Sequence, residues 1–153
     1  MNRHVTVRGI ILLGEKLLCV TLKPYAGKPI NGTDNYWCLP GGKVDIGEPL
    51  IPALERELVE ELGIRPVVGN LLYVQQFTHG ETEKLEFFFH VTNGKDYLQV
   101  DLGKTSHGHL EIDQVDFVDP ARDFVLPQFL RTEPLAEHAA NGGAPKFFNN
   151  IDK

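Results

Sequence analysis

The chain has 153 residues, 15 basic against 21 acidic side chains, a formal net charge of −6, and a composition that is 42% hydrophobic. That length and mix describe one globular domain, expected to span residues 1–153, with enough apolar residues to build a core without disulfide or metal staples. The acidic balance argues against nonspecific binding of long nucleic acid, which relies on basic patches, but allows a small phosphorylated ligand held through divalent cations.

His4–Leu13 is rich in Val, Thr and Ile and reads as a strand. Gly14-Glu15 reads as a turn, and Lys16–Leu22 as the second arm of a hairpin. The apolar run Ile10–Leu13 is too short for a signal-peptide core or a membrane span, so a cytoplasmic protein without a membrane partner is expected. Cys19 and Cys38 lie in strand-like apolar runs with no zinc-type spacing. They read as two buried free thiols in a reducing compartment. Lys23–Asn35 is a Pro/Gly/Asn loop longer than a simple connection needs, as binding loops often are. Tyr36–Leu39 reads as a short strand, stopped by Pro40-Gly41-Gly42.

Pro49–Leu62 reads as a helix, because Leu50, Leu54, Leu58 and Leu62 recur at i+4 with Ile51 beside them. Gly63 is a natural terminator, and Pro66 prevents continuation. Val67–Phe77 and Lys84–Thr92 read as strands around His79-Gly80. In the second of these, Leu85, Phe87, Phe89 and Val91 share one face, and Lys84, Glu86, Phe88 and His90 the other. Val100–Gly108 reads as loop, Leu110–Val118 as strand and Pro127–Ala140 as a second helix. Residues 139–153 read as an irregular C-terminal tail pinned by Phe147 and Phe148.

The helix Pro49–Leu62 carries an unusual set of acids. Glu57, Glu60 and Glu61 stand at i, i+3 and i+4 and fall on one stripe, since each residue turns the helix by about 100°. Like charges at that spacing repel by some tenths of a kcal/mol per pair, and a divalent cation would offset the repulsion. Carboxylate oxygens suit Mg²⁺ or Mn²⁺ better than zinc. Taken alone, such a stripe usually means a solvated acidic face.

The wider spacing decides between the two. Gly42 is followed by five residues, Glu48, seven residues, and then Arg56-Glu57-Leu58-Val59-Glu60-Glu61-Leu62-Gly63-Ile64. This pattern resembles the complete Nudix box, with every fixed and both aliphatic positions matched. A chance match at a given start is on the order of one in a billion with ordinary residue usage. Trp37-Cys38-Leu39-Pro40-Gly41-Gly42 also resembles the family's usual approach to the box.

The resemblance implies a Nudix-type α/β/α sandwich, a mixed β-sheet flanked by helices. It implies metal-dependent hydrolysis of a nucleoside diphosphate linked to another moiety, with water attacking one phosphorus of the pyrophosphate. Glu57, Glu60 and Glu61, with the Gly41 carbonyl, match the family's metal ligands for Mg²⁺ or Mn²⁺. Glu57 is also a candidate catalytic base. Arg56 matches an arginine that orients the glutamates, and Glu48 an acid that supports the loop. A further catalytic glutamate comes from a later loop in some members. Glu111 is the first candidate and Glu86 the second, each against the plainer reading of a surface carboxylate. Arg8 on the first strand, Lys23, Gly42 and Lys43 are the candidates for substrate contact. His107 and His109 are placed to meet phosphate or simply to be solvated, and Trp37 either to stack on a base or to fill core.

The substrate is less legible. No proline lies between Pro66 and Pro120, where members acting on ADP-ribose tend to carry one. Tyr73 lies too close to the box to serve as the marker tyrosine of dinucleoside polyphosphate enzymes. A nucleoside triphosphate or modified nucleotide ranks first, and ADP-ribose or a sugar nucleotide second. A non-catalytic Nudix domain used as a ligand sensor is the alternative of another class, although such domains commonly lose box acids that this chain keeps. Many relatives of this kind are homodimers.

Overall fold

A computed structural model describes residues 2–24 and 36–150. Most of the loop expected at Lys23–Asn35 therefore lies outside the described residues. Among the described residues, seven strands, β1 (Asn2–Leu13), β2 (Lys16–Leu22), β3 (Gly41–Lys43), β4 (Val68–His79), β5 (Thr82–Val91), β6 (Ile112–Val118) and β7 (Lys146–Asn150), are joined with three α-helices. These are α1 (Leu50–Leu62), the single turn α2 (Gly108–Glu111) and α3 (Leu135–Asn141).

The strands form one mixed sheet in the order β6-β2-β1-β5-β4-β7, with β3 against β1. Strand β1 organises it. Residues 2–11 pair in parallel with β5, and Leu12 and Leu13 pair with β2 in the expected hairpin. Both faces of the sheet are covered, so its central strands are apolar on both sides instead of alternating cleanly with polar residues. On one face Val7, Ile11, Leu18, Val20, Phe89 and Val91 pack with Ala53, Leu54, Leu58 and Leu62 of α1. On the other, Ile10, Leu17, Cys19, Leu72, Tyr73 and Phe88 pack with Leu130 and with Leu135 of α3. The layering is the expected α/β/α arrangement. Among the described residues, no helix is long and apolar enough to cross a membrane.

Several local expectations are corrected. Gly41–Lys43 does not stop a strand but forms one, paired with Thr6–Arg8 of β1. The segment before it, read as a strand, makes only two isolated bridges, Trp37 to Val125 and Cys38 to Val20. Leu110 and Glu111 belong to the turn α2 and precede β6. The helix expected over Pro127–Ala140 is split by Pro134 into a 3₁₀ turn, Gln128–Arg131, and α3. A proline that far into a helix would remove a hydrogen bond and clash with the preceding turn. The expected irregular tail contains β7, which adds in parallel to β4 at Tyr73–Phe77. Phe148 packs into the second cluster, whereas Phe147 is exposed. Ile51 is exposed on α1, and Cys38 is half-buried while Cys19 is fully buried.

Candidate active site

Helix α1 sets the site. Pro49 takes the capping position in an extended conformation, and Pro52 lies in the first turn, where backbone N–H groups have no helical partner to lose. At the other end Gly63 adopts a left-handed conformation (φ 76°) and its N–H donates to the Val59 carbonyl. Burial of Leu54, Leu58 and Leu62 fixes the rotation of the helix. The stripe that holds Glu57 and Glu61 then faces the strand β3.

Contact with β3 is close. Glu61 is only 6% exposed and accepts a hydrogen bond from the Gly41 N–H at 3.3 Å. Gly41 has φ 140°, and a Cβ there would collide with the Val7 carbonyl. A Cβ on Gly42 would come within 2.5 Å of the Glu57 carboxylate. Glycine at both positions therefore lets backbone and carboxylates share one small space. Glu57 also lies within hydrogen-bonding reach of Glu61. Burial raises both carboxyls above the ordinary range, with Arg56 opposing this at Glu57 and Arg8 opposing it at Glu61. The Glu57 charge further hinders ionisation of Glu61.

Arg56 ties the loop to the helix. It grips Glu48 with two hydrogen bonds, at 2.8 and 2.9 Å, and donates to Glu57 at 3.1 Å, Glu60 at 3.3 Å and the Lys43 carbonyl at 3.3 Å. The Arg56 fork holds the Glu48 carboxyl well below its ordinary range, helped by the Asp45 N–H.

A dication placed here would be met by hard oxygen donors. As they stand, no three described His, Cys, Asp or Glu side chains converge on a common point, because Arg56 holds Glu57 and Glu60 while Gly41 holds Glu61. The donor set nevertheless fits such an ion. Buried Glu61 and half-buried Glu57 lie side by side, each harder to ionise than usual without a cation, at a strand whose glycines admit close approach.

Beside this acidic corner lies a cavity of about 680 Å³, within the range of small-molecule sites. Aromatic Tyr36, Phe77, Phe88, Phe129 and Phe148 line it, with Arg8, Gln75, Lys84, Glu86 and Asn149 as polar members. Leu39 lines it too, two residues before Gly41, so cavity and box are continuous along the chain. Arg8 donates to Glu86 and to the Leu39 carbonyl, both at 3.3 Å, and Thr6 donates to Glu86 at 2.8 Å.

The residues singled out from sequence are distributed unevenly. Gly41, Gly42, Glu48, Arg56, Glu57, Glu60 and Glu61 come together around β3 and α1. Arg8 and Glu86 meet in the wall of the cavity. Glu111 is exposed at the end of α2, near enough for its charge to hinder ionisation of Glu61. Lys23 is not among the described lining residues of the cavity and donates to the His109 carbonyl at 2.8 Å. Lys43 is exposed beside Arg56. The His107 N–H donates to the Glu60 carbonyl, and the His109 ring engages the Thr105 carbonyl, so both brace the connection after α1. Trp37 packs on the second core cluster and does not line the cavity. Sequence reasoning missed Gln75, Phe77, Phe129 and Phe148. The only signal was a polar Gln75-Gln76 pair inside an apolar strand.

Comparison with known proteins places the chain. Residues 2–133 match the NUDIX domain family model. The chain is 46% identical over 54 residues to an 8-oxo-dGTP diphosphatase of Haemophilus influenzae, a match covering 35% of this chain and 39% of the relative. It is 33% identical over 78 residues to an 8-oxo-dGTP diphosphatase of Buchnera aphidicola, covering 51% of this chain and 57% of that one. Each match thus spans less than two thirds of the relative's length. The fold resembles the solution structure of the E. coli ORF135 protein, with TM-score 0.67 and 24% identity over 94% of this chain and 96% of the other. It also resembles a MutT NUDIX hydrolase from Burkholderia pseudomallei, with TM-score 0.62 and 19% identity over 94% of this chain and all of the other.

Proposed function

The chain belongs to the NUDIX family, and on that footing we propose that it hydrolyses a pyrophosphate bond of a nucleotide, first among them a nucleoside triphosphate with a modified purine base. The observation that carries the reading is the pair of buried Glu61 and half-buried Glu57, packed against the glycine strand, with Glu57 braced by Arg56. Such a pair is costly without a cation, which is the arrangement expected of a metal cradle. The substrate preference draws on the two relatives, both named 8-oxo-dGTP diphosphatases.

Nudix hydrolases generally use a divalent metal. Here we assign Mg²⁺ or Mn²⁺ to Glu57, Glu60, Glu61 and the Gly41 carbonyl. When bound, the ion neutralises phosphate oxygens and makes water a better nucleophile. Glu57 or Glu111 accepts the proton of the attacking water as its oxygen bonds to phosphorus and the bridging oxygen leaves with the other phosphate. Arg56 fixes Glu57 and Glu60 relative to each other and to Glu48. Arg8, fixed by Glu86 and the Leu39 carbonyl, presents positive charge between the cavity and the box. The surroundings assigned are cytoplasmic, with no long nucleic acid or membrane as partner, and a homodimer is the assembly to test by light scattering.

A panel of nucleoside triphosphates, 8-oxo-dGTP, ADP-ribose and sugar nucleotides incubated with Mg²⁺ tests the reading. Expected products are a nucleoside monophosphate and pyrophosphate. Preferential cleavage of ADP-ribose or a sugar nucleotide would replace the substrate assignment, and no cleavage of any would overturn the reaction.

A further inference from the structure

Glu111 is exposed on α2, yet its charge reaches Glu61 of the box, 50 positions earlier in the chain. Burial of its own side chain does not place it there. From Gly103 to Glu111 only Thr105 and Gly108 are buried, so these two anchor the turn. The turn lies against the end of α1, where the last carbonyls have no partner within the helix. The His107 N–H and the Ser106 hydroxyl donate to the Glu60 carbonyl, at 3.0 and 3.4 Å. Gly108 makes the closest approach. A Cβ there would collide with the Glu61 carbonyl oxygen and come within 2.8 Å of Thr105 Oγ1. The Thr105 hydroxyl donates to the Leu102 carbonyl at 2.6 Å and accepts from the His109 N–H at 3.0 Å. Lys23, just past β2, holds α2 as well: its N–H donates to the Glu111 carbonyl and its ammonium to the His109 carbonyl, both at 2.8 Å. None of these bonds involves the Glu111 carboxylate.

We propose that Gly108 is a positioning residue for the box: by seating the turn on the Glu61 carbonyl it brings the Glu111 carboxylate to the rim of the metal cradle. The two sides of the contact differ in how far they can give. Helix α1 is held by buried Leu58 and Leu62 and closed by Gly63, whereas the turn is exposed apart from its two anchors. A methyl at position 108 therefore lifts the turn and carries Glu111 outward, while Glu57, Glu60 and Glu61 stay in place. With no cation present, the Glu111 charge opposes ionisation of Glu61. Beside a dication the same charge adds to the attraction. The inference rests on the cradle assigned above and adds what holds its fourth carboxylate.

The test is a double-mutant cycle read by Mn²⁺ affinity, with the free ion counted by electron paramagnetic resonance. Glu111→Gln should weaken Mn²⁺ about tenfold, the scale of an outer partner of a metal site. Gly108→Ala should weaken it by a similar factor, and the double variant by no more than either alone. Thr105→Val should act in the same direction by about threefold, the worth of one hydrogen bond, and Thr105→Ser should match the wild type. If Gly108→Ala does not fold, Thr105→Val carries the same cycle with Glu111→Gln. Independent sites would instead multiply to a loss of about a hundredfold in the double variant, and that result would overturn the proposal. So would wild-type affinity in Gly108→Ala or in Glu111→Gln. Turnover keeps the two readings apart. A wild type that binds Mn²⁺ in this pattern but cleaves no nucleotide removes the hydrolase reading alone. One that cleaves a nucleotide while the losses multiply removes this proposal alone, and a wild type that binds no Mn²⁺ removes both.

Discussion

The acidic box and the aromatic cavity adjoin one another, yet they are assembled in opposite ways. The box is one continuous piece of chain, from strand β3 through its loop to the end of α1. Its key contacts, Gly41 to Glu61, Gly42 to Glu57 and Arg56 to Glu48, all fall within that piece. The cavity draws on Arg8, Tyr36 and Cys38, on Gln75 and Phe77, on Lys84, Glu86 and Phe88, on Leu126 to Phe129, and on Phe148 and Asn149. The chemical step proposed for the box would need its groups held to a fraction of an ångström, and a short loop clamped to a helix delivers that locally. Recognition of a base needs a shaped wall, and sheet topology supplies one from distant segments. The walls can then change without disturbing the cradle.

The largest effects should come from breaking the cradle. Glu57→Gln and Glu61→Gln should each lower kcat by about 10³-fold, since a metal's contribution is several kcal/mol. The fold should survive. In the metal-free protein, burial already holds the Glu61 carboxyl above its ordinary range, so a neutral amide replaces a group that resists ionisation. The melting temperature in EDTA should therefore stay level or rise. EDTA should stop turnover of the wild type, and Mg²⁺ or Mn²⁺ should restore it. Retained activity in both variants, or turnover indifferent to chelator, would dissolve the distinction between box and cavity.

The same contrast explains what could be read from sequence. The box was legible because its spacing is linear: Gly42, Glu48, Arg56, Glu57, Glu60 and Glu61 carry their geometry along one helix and one loop. The strands β1, β2, β4 and β5 were legible too, being long apolar runs between turn residues. What failed depends on partners far away in sequence. Gly41–Lys43 forms a strand because β1 presents Thr6–Arg8 to it, and nothing in three residues announces that. Strand β7 exists because β4 offers a free edge beside the second core, where Phe148 meets Phe129 at 4.4 Å between ring centres. Lys23 looked like a phosphate ligand by its place after β2, but α2 provides the His109 carbonyl that takes it. The cavity residues escaped notice for the same reason, since Gln75 and Phe148 become neighbours only through the pairing of β4 with β7.

Intermediate effects should follow from small changes on either side. Gly42→Ala places a methyl 2.5 to 2.7 Å from the Glu57 carboxyl atoms, so the carboxylate must move. A displacement near 1 Å at a reacting group costs about 10²-fold, and the loss should appear in kcat. Phe129→Leu keeps apolar volume but removes a ring from the cavity wall. It should raise KM about tenfold, in line with the loss of one ring stacked on a base, and leave kcat nearly unchanged. Steady-state kinetics on one nucleotide resolves both. A kcat effect for Phe129→Leu, or a pure KM effect for Gly42→Ala, would show that the two regions do not divide the work in this way.

The smallest effect concerns Cys38, which lies between the two regions, in the cavity wall and within reach of the Glu61 charge. It lines the cavity, and burial pushes its thiol up to about 11, with the Arg8 charge only partly opposing this. A raised thiol pKa means less thiolate at a given pH, and the thiolate is the reactive form. At pH 8 about one thiol in a thousand is ionised, the population that a pKa of about 11 allows. Alkylation by iodoacetamide should therefore be slow at pH 8 and climb tenfold per pH unit toward 11. Cys19, buried and pushed further up, should lag behind it, and Cys38→Ser should remove the faster phase. A nucleotide in the cavity should slow that phase again, because it covers the thiol. Alkylation of Cys38 at the rate of a free cysteine would mean that the wall next to Leu39 stands open to water, and the cavity would then lack a closed side between Leu39 and the box.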